Sequence, residues 1–150
     1  EDAPLSKAYY SDLVLALQST FTYHGVAFCL LPRAEGAEIV GEVADLLIRN
    51  EETHRVFCGA VVGDDLVVSV RTDAQGGNAA DLVRRTLDGL GRGGGHAHRA
   101  GGKLAKCATS EHVSRQLHES LRRRWLKACG VRRKRGTRLV RRHEIVENLS

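Results

Sequence analysis

The first half of the chain alternates between helical and strand-like patterns of apolar residues. Helical spacing of the apolar positions predicts an amphipathic helix from Leu5 to Gln18. The apolar run from Thr22 to Leu31, which ends at Pro32, predicts one buried strand. A second helix is predicted between Ala37 and Asn50, with an apolar stripe on one side and carboxylates facing away. The stripe is Ile39, Val43, Leu46 and Leu47, and the carboxylates are Glu38, Glu42 and Asp45.

Two β-rich runs follow, at residues 55–63 and 66–72. Gly63, Asp64 and Asp65 between them suit a tight turn, so the pair predicts a β-hairpin. Alternation in the second run places its apolar residues on one face and Ser69 and Arg71 on the other. Arg71 is therefore expected at the end of a strand, on the more polar face of a sheet.

The second half predicts two further helices around a glycine-rich stretch. The first helix is expected to begin at Asn78, a good N-cap residue, and to stop at Gly91. A loop over 91–102 and a short strand over 103–108 follow. The last helix is expected after Thr109 or Ser110 and ends at Gly130; its apolar side is Val113, Leu117, Leu121 and Trp125, with Trp125 in the core. This order predicts a single α/β domain whose mixed sheet of about four to five strands is flanked by helices.

Composition narrows the class of protein. With 42% hydrophobic and 27% charged residues, the chain resembles a soluble globular protein. No apolar run approaches the roughly 20 residues of a membrane span, so no membrane partner is expected. The four cysteines form no C-x-x-C pair, which favours reduced thiols and a cytoplasmic location. Because the chain contains no methionine, we expect it to be part of a longer protein.

The net charge of +5 is concentrated at one end. Residues 120–150 hold 11 Lys/Arg against 2 Asp/Glu, a charge of +9, whereas residues 1–119 hold 12 against 16, a charge of −4. The basic stretch contains Arg132, Arg133, Lys134, Arg135, Arg138, Arg141 and Arg142. Such a stretch contacts a nucleic-acid backbone in some proteins. Aromatic residues for base stacking are absent from it, so a solvated end or an arm that docks on another domain is favoured.

The segment "GRGGGHAHRAGG", residues 91–102, is the main candidate for chemistry. Successive glycines allow positive φ and let a ligand approach the backbone N–H groups, which can form a nest for phosphate or carboxylate. His96, His98 and Arg99 add donors for an anion. The alternative is a plain connector. The segment matches no P-loop or Rossmann fingerprint, and it supplies too few ligands for a metal.

Two short motifs resemble those of the DHH-associated C-terminal domain of DHH-family phosphoesterases. Gly93, Gly94, Gly95 and His96, followed after two residues by "RAG" from Arg99, are similar to the family's G-G-G-H-x-x-A-A-G signature. The sequence "SVRT" at residues 69–72 is similar to its S-x-R-S motif, with Thr72 in place of serine. Arg99 stands where many members have alanine. The resemblance covers about residues 22–106, and the DHH motif and its metal-binding aspartates and histidines are not in this sequence.

The resemblance implies a division of labour. An N-terminal DHH domain of the same protein would hold manganese and activate water, so this chain is expected to contain no catalytic residue and no metal or cofactor site. This chain would bind the substrate, and alone it should hydrolyse nothing. The implied substrate-binding residues are Ser69, Arg71, Gly93, Gly94, Gly95, His96 and Arg99.

The resemblance also implies a layout and a substrate class. Residues 1–21 are expected to form a linker helix, 22–130 the substrate-binding domain and 131–150 a basic tail. The family acts on short oligonucleotides, pAp-like phosphorylated nucleotides, cyclic dinucleotides or single-stranded DNA, of which a small substrate is favoured. The sequence leaves open whether the protein forms a homodimer. The alternative function is a free-standing, non-catalytic nucleic-acid-binding domain that uses the glycine segment and the basic tail.

Overall fold

The computed structural model describes residues 2–105, 113–132 and 135–149. The helices are α1 (Lys7–Ser19), α2 (Glu38–Leu47), α3 (Ala79–Leu87), α4 (Arg115–Ala128) and α5 (Arg142–Asn148). The strands are β1 (Phe21–Tyr23), β2 (Val26–Leu31), β3 (Arg55–Val62), β4 (Asp65–Thr72), β5 (Arg92–Gly95), β6 (Arg99–Leu104) and β7 (Thr137–Arg138). Within the described residues, no helix is long and apolar enough to cross a bilayer.

The strands form one mixed sheet in the order β5-β6-β4-β3-β2-β1-β7. Strands β2 and β3 pair in parallel, and the other pairings are antiparallel. The α/β class and the mixed sheet are confirmed, but the seven strands exceed the predicted four to five. The run at residues 22–31 is broken by a turn at His24 and Gly25, whose φ angles are 48° and 79°. The glycine segment supplies β5 and β6, and the basic stretch supplies β7.

Helices cover both faces of the sheet. On one face, α1 and α2 pack on β2 and β3 around Ala16, Val40 and Val43. On the other face, α3 packs on β4, β5 and β6, and α4 packs beside α3 and on β2. Trp125 is fully buried there, and its Nε1 donates to the Ala27 carbonyl oxygen at 3.1 Å, which confirms its predicted place in the core. The prediction for Leu46 is wrong, because this residue is 44% exposed.

The two ends of α3 differ in how well the sequence predicts them. The side chain of Asn78 accepts a hydrogen bond from the Asp81 amide at 3.0 Å, as its position in the sequence predicts. However, α3 ends at Leu87 rather than at Gly91, because Gly89 takes the positive φ of 75° that turns the chain away. Helix α4 is capped by Ser114; the predicted caps, Thr109 and Ser110, lie outside the described residues, as does the end of the strand predicted over 103–108.

The burial of one histidine on α4 makes the stability of the fold depend on pH. The sequence suggests a polar position for His118, but its ring is half-buried and meets Phe28 edge-on, with centroids 5.6 Å apart. Burial lowers the pKa of His118 below the ordinary value for histidine. The unfolded chain therefore binds a proton more readily than the folded chain does, so stability is lost as the pH falls below about 6.5.

We expect His118→Gln to reduce the pH dependence of stability between pH 7.5 and 5. The neutral amide does not titrate, so the part of the acid destabilisation that arises from His118 disappears. Urea unfolding at several pH values measures the effect. His143→Gln, which removes an exposed histidine on α5, is the control and should leave the dependence unchanged. An unaltered pH dependence in the His118 variant would show that burial of this ring does not oppose its protonation.

Candidate functional site

The glycine segment forms a β-hairpin, not the predicted loop. Gly93 pairs with Gly102 and Gly94 with Gly101 in an antiparallel register. The turn at residues 96–98 is closed by a hydrogen bond from the His96 amide to the carbonyl oxygen of Arg99 at 2.8 Å. Because the segment runs as paired strands, the predicted nest of successive inward-facing N–H groups is not formed.

Close packing accounts for glycine at two positions of this hairpin. A Cβ on Gly93 would lie 3.0 Å from a methyl group of Val83, and a Cβ on Gly102 would overlap Leu87. Both neighbours belong to α3. These glycines therefore let the hairpin lie directly on that helix.

Gly94 differs from Gly93 and Gly102 because an added Cβ would meet only the end of a flexible side chain. A Cβ there would have the Arg84 guanidinium as its nearest neighbour, at 3.7 Å, which is ordinary van der Waals contact. Strand alternation and register place Gly94 and Gly101 on the side of the sheet opposite α3. Packing against α3 therefore does not explain glycine at position 94.

The register continues this surface onto β4. Ser69 pairs with Gly101, and Arg71 pairs with Arg99, on the side of the sheet that faces α2. Helix α2 packs over β3 and β4, whereas the described helix that packs on β5 and β6 is α3, on the other side. The surface on the α2 side formed by Ser69, Arg71, Gly94, Arg99 and Gly101 is called the glycine face below.

Arg71 is the anchored cation of the glycine face. It lies near the end of β4, as predicted, but it is only 6% exposed. Its Nε donates to Oδ1 of Asp45 at 2.6 Å, and its Nη1 donates to the Val70 and Ala100 carbonyl oxygens at 3.0 and 3.3 Å. In the described part of the chain, no residue accepts a hydrogen bond from Nη2. A Cβ on Gly41 of α2 would lie 3.3 Å from Nη2, so that glycine leaves room for the guanidinium.

Asp45 belongs to the site, although the sequence pattern predicts only a solvent-facing side chain. Its carboxylate accepts hydrogen bonds from both Arg71 and Arg99, and the sequence pattern does not predict this contact. The Arg99 Nη1 lies 3.3 Å from Oδ1, and the Arg99 side chain is 66% exposed. Two arginines on one carboxylate leave an excess positive charge at this surface. Gly41 and Asp45 lie one helical turn apart and therefore on the same side of α2, and this spacing is the sequence feature that indicates that both can contact Arg71.

The two histidines of the turn play different parts. The structure does not bring the exposed His96 side chain into contact with Arg71 or Asp45. The Nδ1 of His98 lies 3.1 Å from Oγ1 of the buried Thr72. That hydroxyl also lies 2.9 Å from the Gly77 carbonyl oxygen and 3.2 Å from that of Ala97. Thr72 therefore keeps the hydroxyl of the serine it replaces in the motif, and this hydroxyl helps to hold the hairpin turn.

The N-terminus of α3 is closed by the same turn. The Ala79 amide donates to the Ala97 carbonyl oxygen at 2.6 Å, and the Ala80 amide donates to that of His96 at 3.3 Å. Since these N–H groups have partners, an anion at the glycine face would be held by arginine side chains rather than by the helix end.

Metal ligands are not gathered in the part of the chain that the structure describes. No group of three or more His, Cys, Asp or Glu residues lies close enough there to hold an ion. The described residues therefore do not fit a manganese site.

Comparisons with known proteins find solved structures with a similar fold. No family model matches the chain, and no curated protein matches it in sequence. RecJ from Thermus thermophilus, solved in complex with Mn²⁺, aligns with 87% of this chain at 21% identity and a TM-score of 0.59. An exopolyphosphatase-related protein from Bacteroides fragilis aligns with 85% at 12% identity and a TM-score of 0.60. The C-Ala domain of Aquifex aeolicus alanyl-tRNA synthetase aligns with 68% at 20% identity and a TM-score of 0.49, over 96% of its own chain.

The matches to RecJ and to the exopolyphosphatase-related protein establish a shared fold. RecJ belongs to the DHH family, so its match and that of the exopolyphosphatase-related protein confirm, for the fold, the resemblance to a DHH-associated domain. The alignment spans 18% of the RecJ chain and 36% of the exopolyphosphatase-related chain. This chain therefore corresponds in fold to a minor part of both proteins.

Proposed function

We propose that this chain is the substrate-binding domain of a DHH-family phosphoesterase and that its glycine face holds a phosphate of a short oligonucleotide or phosphorylated nucleotide. The observation that carries the proposal is the buried, anchored guanidinium of Arg71 beside Gly94 and Gly101, which leave the α2 side of β5 and β6 without side chains at these two positions. Hydrolysis would belong to a separate N-terminal DHH domain, where bound manganese would activate water.

Fixed geometry favours an anion at this surface. Three hydrogen bonds from Nε and Nη1 orient the Arg71 guanidinium before any ligand arrives, so little side-chain entropy is lost on binding. Nη2 then supplies a charge-assisted hydrogen bond to phosphate oxygen. Arg99 is exposed and adds long-range attraction. The absence of a side chain at Gly94 lets a ligand approach the backbone of the sheet beside the Arg84 guanidinium.

Arg99→Gln is expected to weaken binding of a 5′-phosphorylated dinucleotide by about threefold, the scale of one exposed ionic contact. It should also reduce the slope of log affinity against log salt concentration by about one. Titration of the ¹⁵N-labelled chain, followed through the amide signals of Gly94 and Gly101, measures both quantities. Arg123→Gln removes another exposed charge, from α4, and serves as the matched control. Equal loss of affinity in the two variants would show that only net charge matters.

Ligand length separates the proposal from a free-standing nucleic-acid-binding domain. A site for one terminal phosphate should bind a phosphorylated dinucleotide and a 20-nucleotide strand with similar affinity. If the basic stretch follows a nucleic-acid backbone, the longer strand should bind far more tightly and with a steeper salt dependence. That result would favour the alternative function.

A further inference from the structure

A cationic cleft lies at the end of α4, on the side of the sheet opposite the glycine face. Its volume is about 470 Å³, and its lining includes His24, His54, Arg55 and Arg132. Arg55 pairs with Thr72 in the sheet, and its side chain reaches α4, where Nη1 donates to the Cys129 carbonyl oxygen at 2.6 Å. The cleft is therefore separated by the sheet from the glycine face, which lies on the α2 side.

The imidazole of His54 is held in a defined orientation. Its Nδ1 lies 2.7 Å from Oδ2 of Asp73, and the hydrogen bond from His54 lowers the pKa of that carboxyl group. A Cβ on Gly25 would lie 3.0 Å from Cδ2 of His54, so the Cδ2 edge of the ring faces a residue that lines the cleft. Nε2 adjoins that edge and makes no hydrogen bond to a described residue. The pairing with Asp73 thus leaves Nε2 for a ligand.

Arg55 is anchored in a similar way. Its Nε donates to the Gly76 carbonyl oxygen at 2.7 Å, and the bond from Nη1 to Cys129 satisfies a carbonyl at the end of α4. Within the described residues Nη2 has no hydrogen-bond acceptor. Arg55 lines this cleft and also a neighbouring pocket that contains Asp81, so its oriented guanidinium brings a positive charge to the border of the cleft. Because Nε and Nη1 already fix the side chain, little further rotamer entropy is lost when a ligand binds.

The charges around the cleft favour one class of ligand. We propose that it binds a phosphate group, with Arg55 Nη2 and, in the imidazolium form of His54, its Nε2 as oriented donors, and with Arg132 and His24 as exposed ones. Neither aspartate nor glutamate occurs among the described lining residues. Asp73 lies behind His54, and its charge is paired with that ring. A tetrahedral oxyanion matches convergent donors of this kind.

The test uses inorganic phosphate and the full 150-residue chain, with histidine ring signals recorded by NMR. We expect saturable shifts of the His54 and His24 signals that sodium chloride at matched ionic strength does not produce. Arg132→Gln and His54→Gln should each weaken phosphate binding by about fivefold, as expected for loss of one solvent-accessible ionic contact. Arg49→Gln, an exposed charge outside the cleft lining, is the matched control and should change nothing.

The outcomes separate this cleft from the glycine face. Arg99→Gln should leave the His54 shifts intact even where it weakens nucleotide binding. Shifts that sodium chloride reproduces, or that persist unchanged in both cleft variants, would overturn the phosphate site. If phosphate binding is lost in Arg99→Gln and kept in Arg132→Gln, the phosphate belongs to the glycine face and the cleft proposal is wrong.

Discussion

Arg71→Ala is expected to remove most of the affinity of the chain for phosphorylated nucleotides and to lower its stability. The substitution removes the donor proposed to contact the phosphate, and a charge-assisted hydrogen bond contributes about 2 kcal/mol, or roughly 30-fold in affinity. It also leaves the Val70 and Ala100 carbonyl oxygens without the buried Nη1 donor. Since Asp45 is 45% exposed and can be solvated, we expect a loss of about 2 kcal/mol in the free energy of unfolding. Urea unfolding and nucleotide titration measure the two effects.

Asp45→Asn distinguishes direct binding from support of the fold. The amide oxygen can still accept from Arg71, while the competing negative charge is removed from the glycine face. We therefore expect affinity for the nucleotide to be kept, with a smaller loss of stability than in Arg71→Ala. If Asp45→Asn loses affinity as fully as Arg71→Ala, the ion pair between Asp45 and Arg71 supports the binding surface, and the loss in Arg71→Ala no longer indicates direct contact with the ligand.

The parts of this site that the sequence predicts are those set by local geometry. Alternation along β4 fixes Ser69 and Arg71 on one face, because successive strand side chains point to opposite sides whatever the surroundings. The turn between β3 and β4 follows from Gly63, which has a φ of 64°. The cap at Asn78 is equally local. In each case the residues that determine the structure lie within a few positions of one another.

The partner of Arg71 depends instead on tertiary packing. Asp45 is 26 positions away, on a helix whose rotation over the sheet is decided by the apolar stripe on its other side. The sequence pattern of α2 by itself predicts that a carboxylate outside that stripe faces solvent. Only the docking of α2 beside β4 turns it into an acceptor for Arg71 and Arg99.

The glycine hairpin departs from the predicted loop for a related reason. Glycine has low strand propensity, so a segment with six glycines in twelve residues predicts a loop. The strands form because their pairing and the close approach to α3 outweigh that propensity. The neighbours that require this approach, Val83 and Leu87, belong to a different element, and no local pattern connects them to Gly93 and Gly102.

Gly102→Ala is expected to destabilise the chain by about 2 kcal/mol or more, as overpacking does in a close-packed core. The added Cβ would overlap Leu87 and lie 2.7 Å from the Arg92 carbonyl oxygen, so either α3 or β5 must shift. Urea unfolding gives the loss of stability. Retained stability would mean that the hairpin does not lie tightly on α3.

Gly94→Ala is the matched substitution on the open side of the same hairpin. Its Cβ meets only the flexible Arg84 side chain, so stability should stay within about 0.5 kcal/mol of the parent chain. The new methyl group would stand on the glycine face, and we expect it to weaken nucleotide binding severalfold. Because the variant folds normally, lost affinity cannot be attributed to unfolding. Unchanged affinity would instead show that the ligand does not approach the sheet at Gly94. The binding surface would then be limited to Arg71 and Arg99, beside Asp45 of α2.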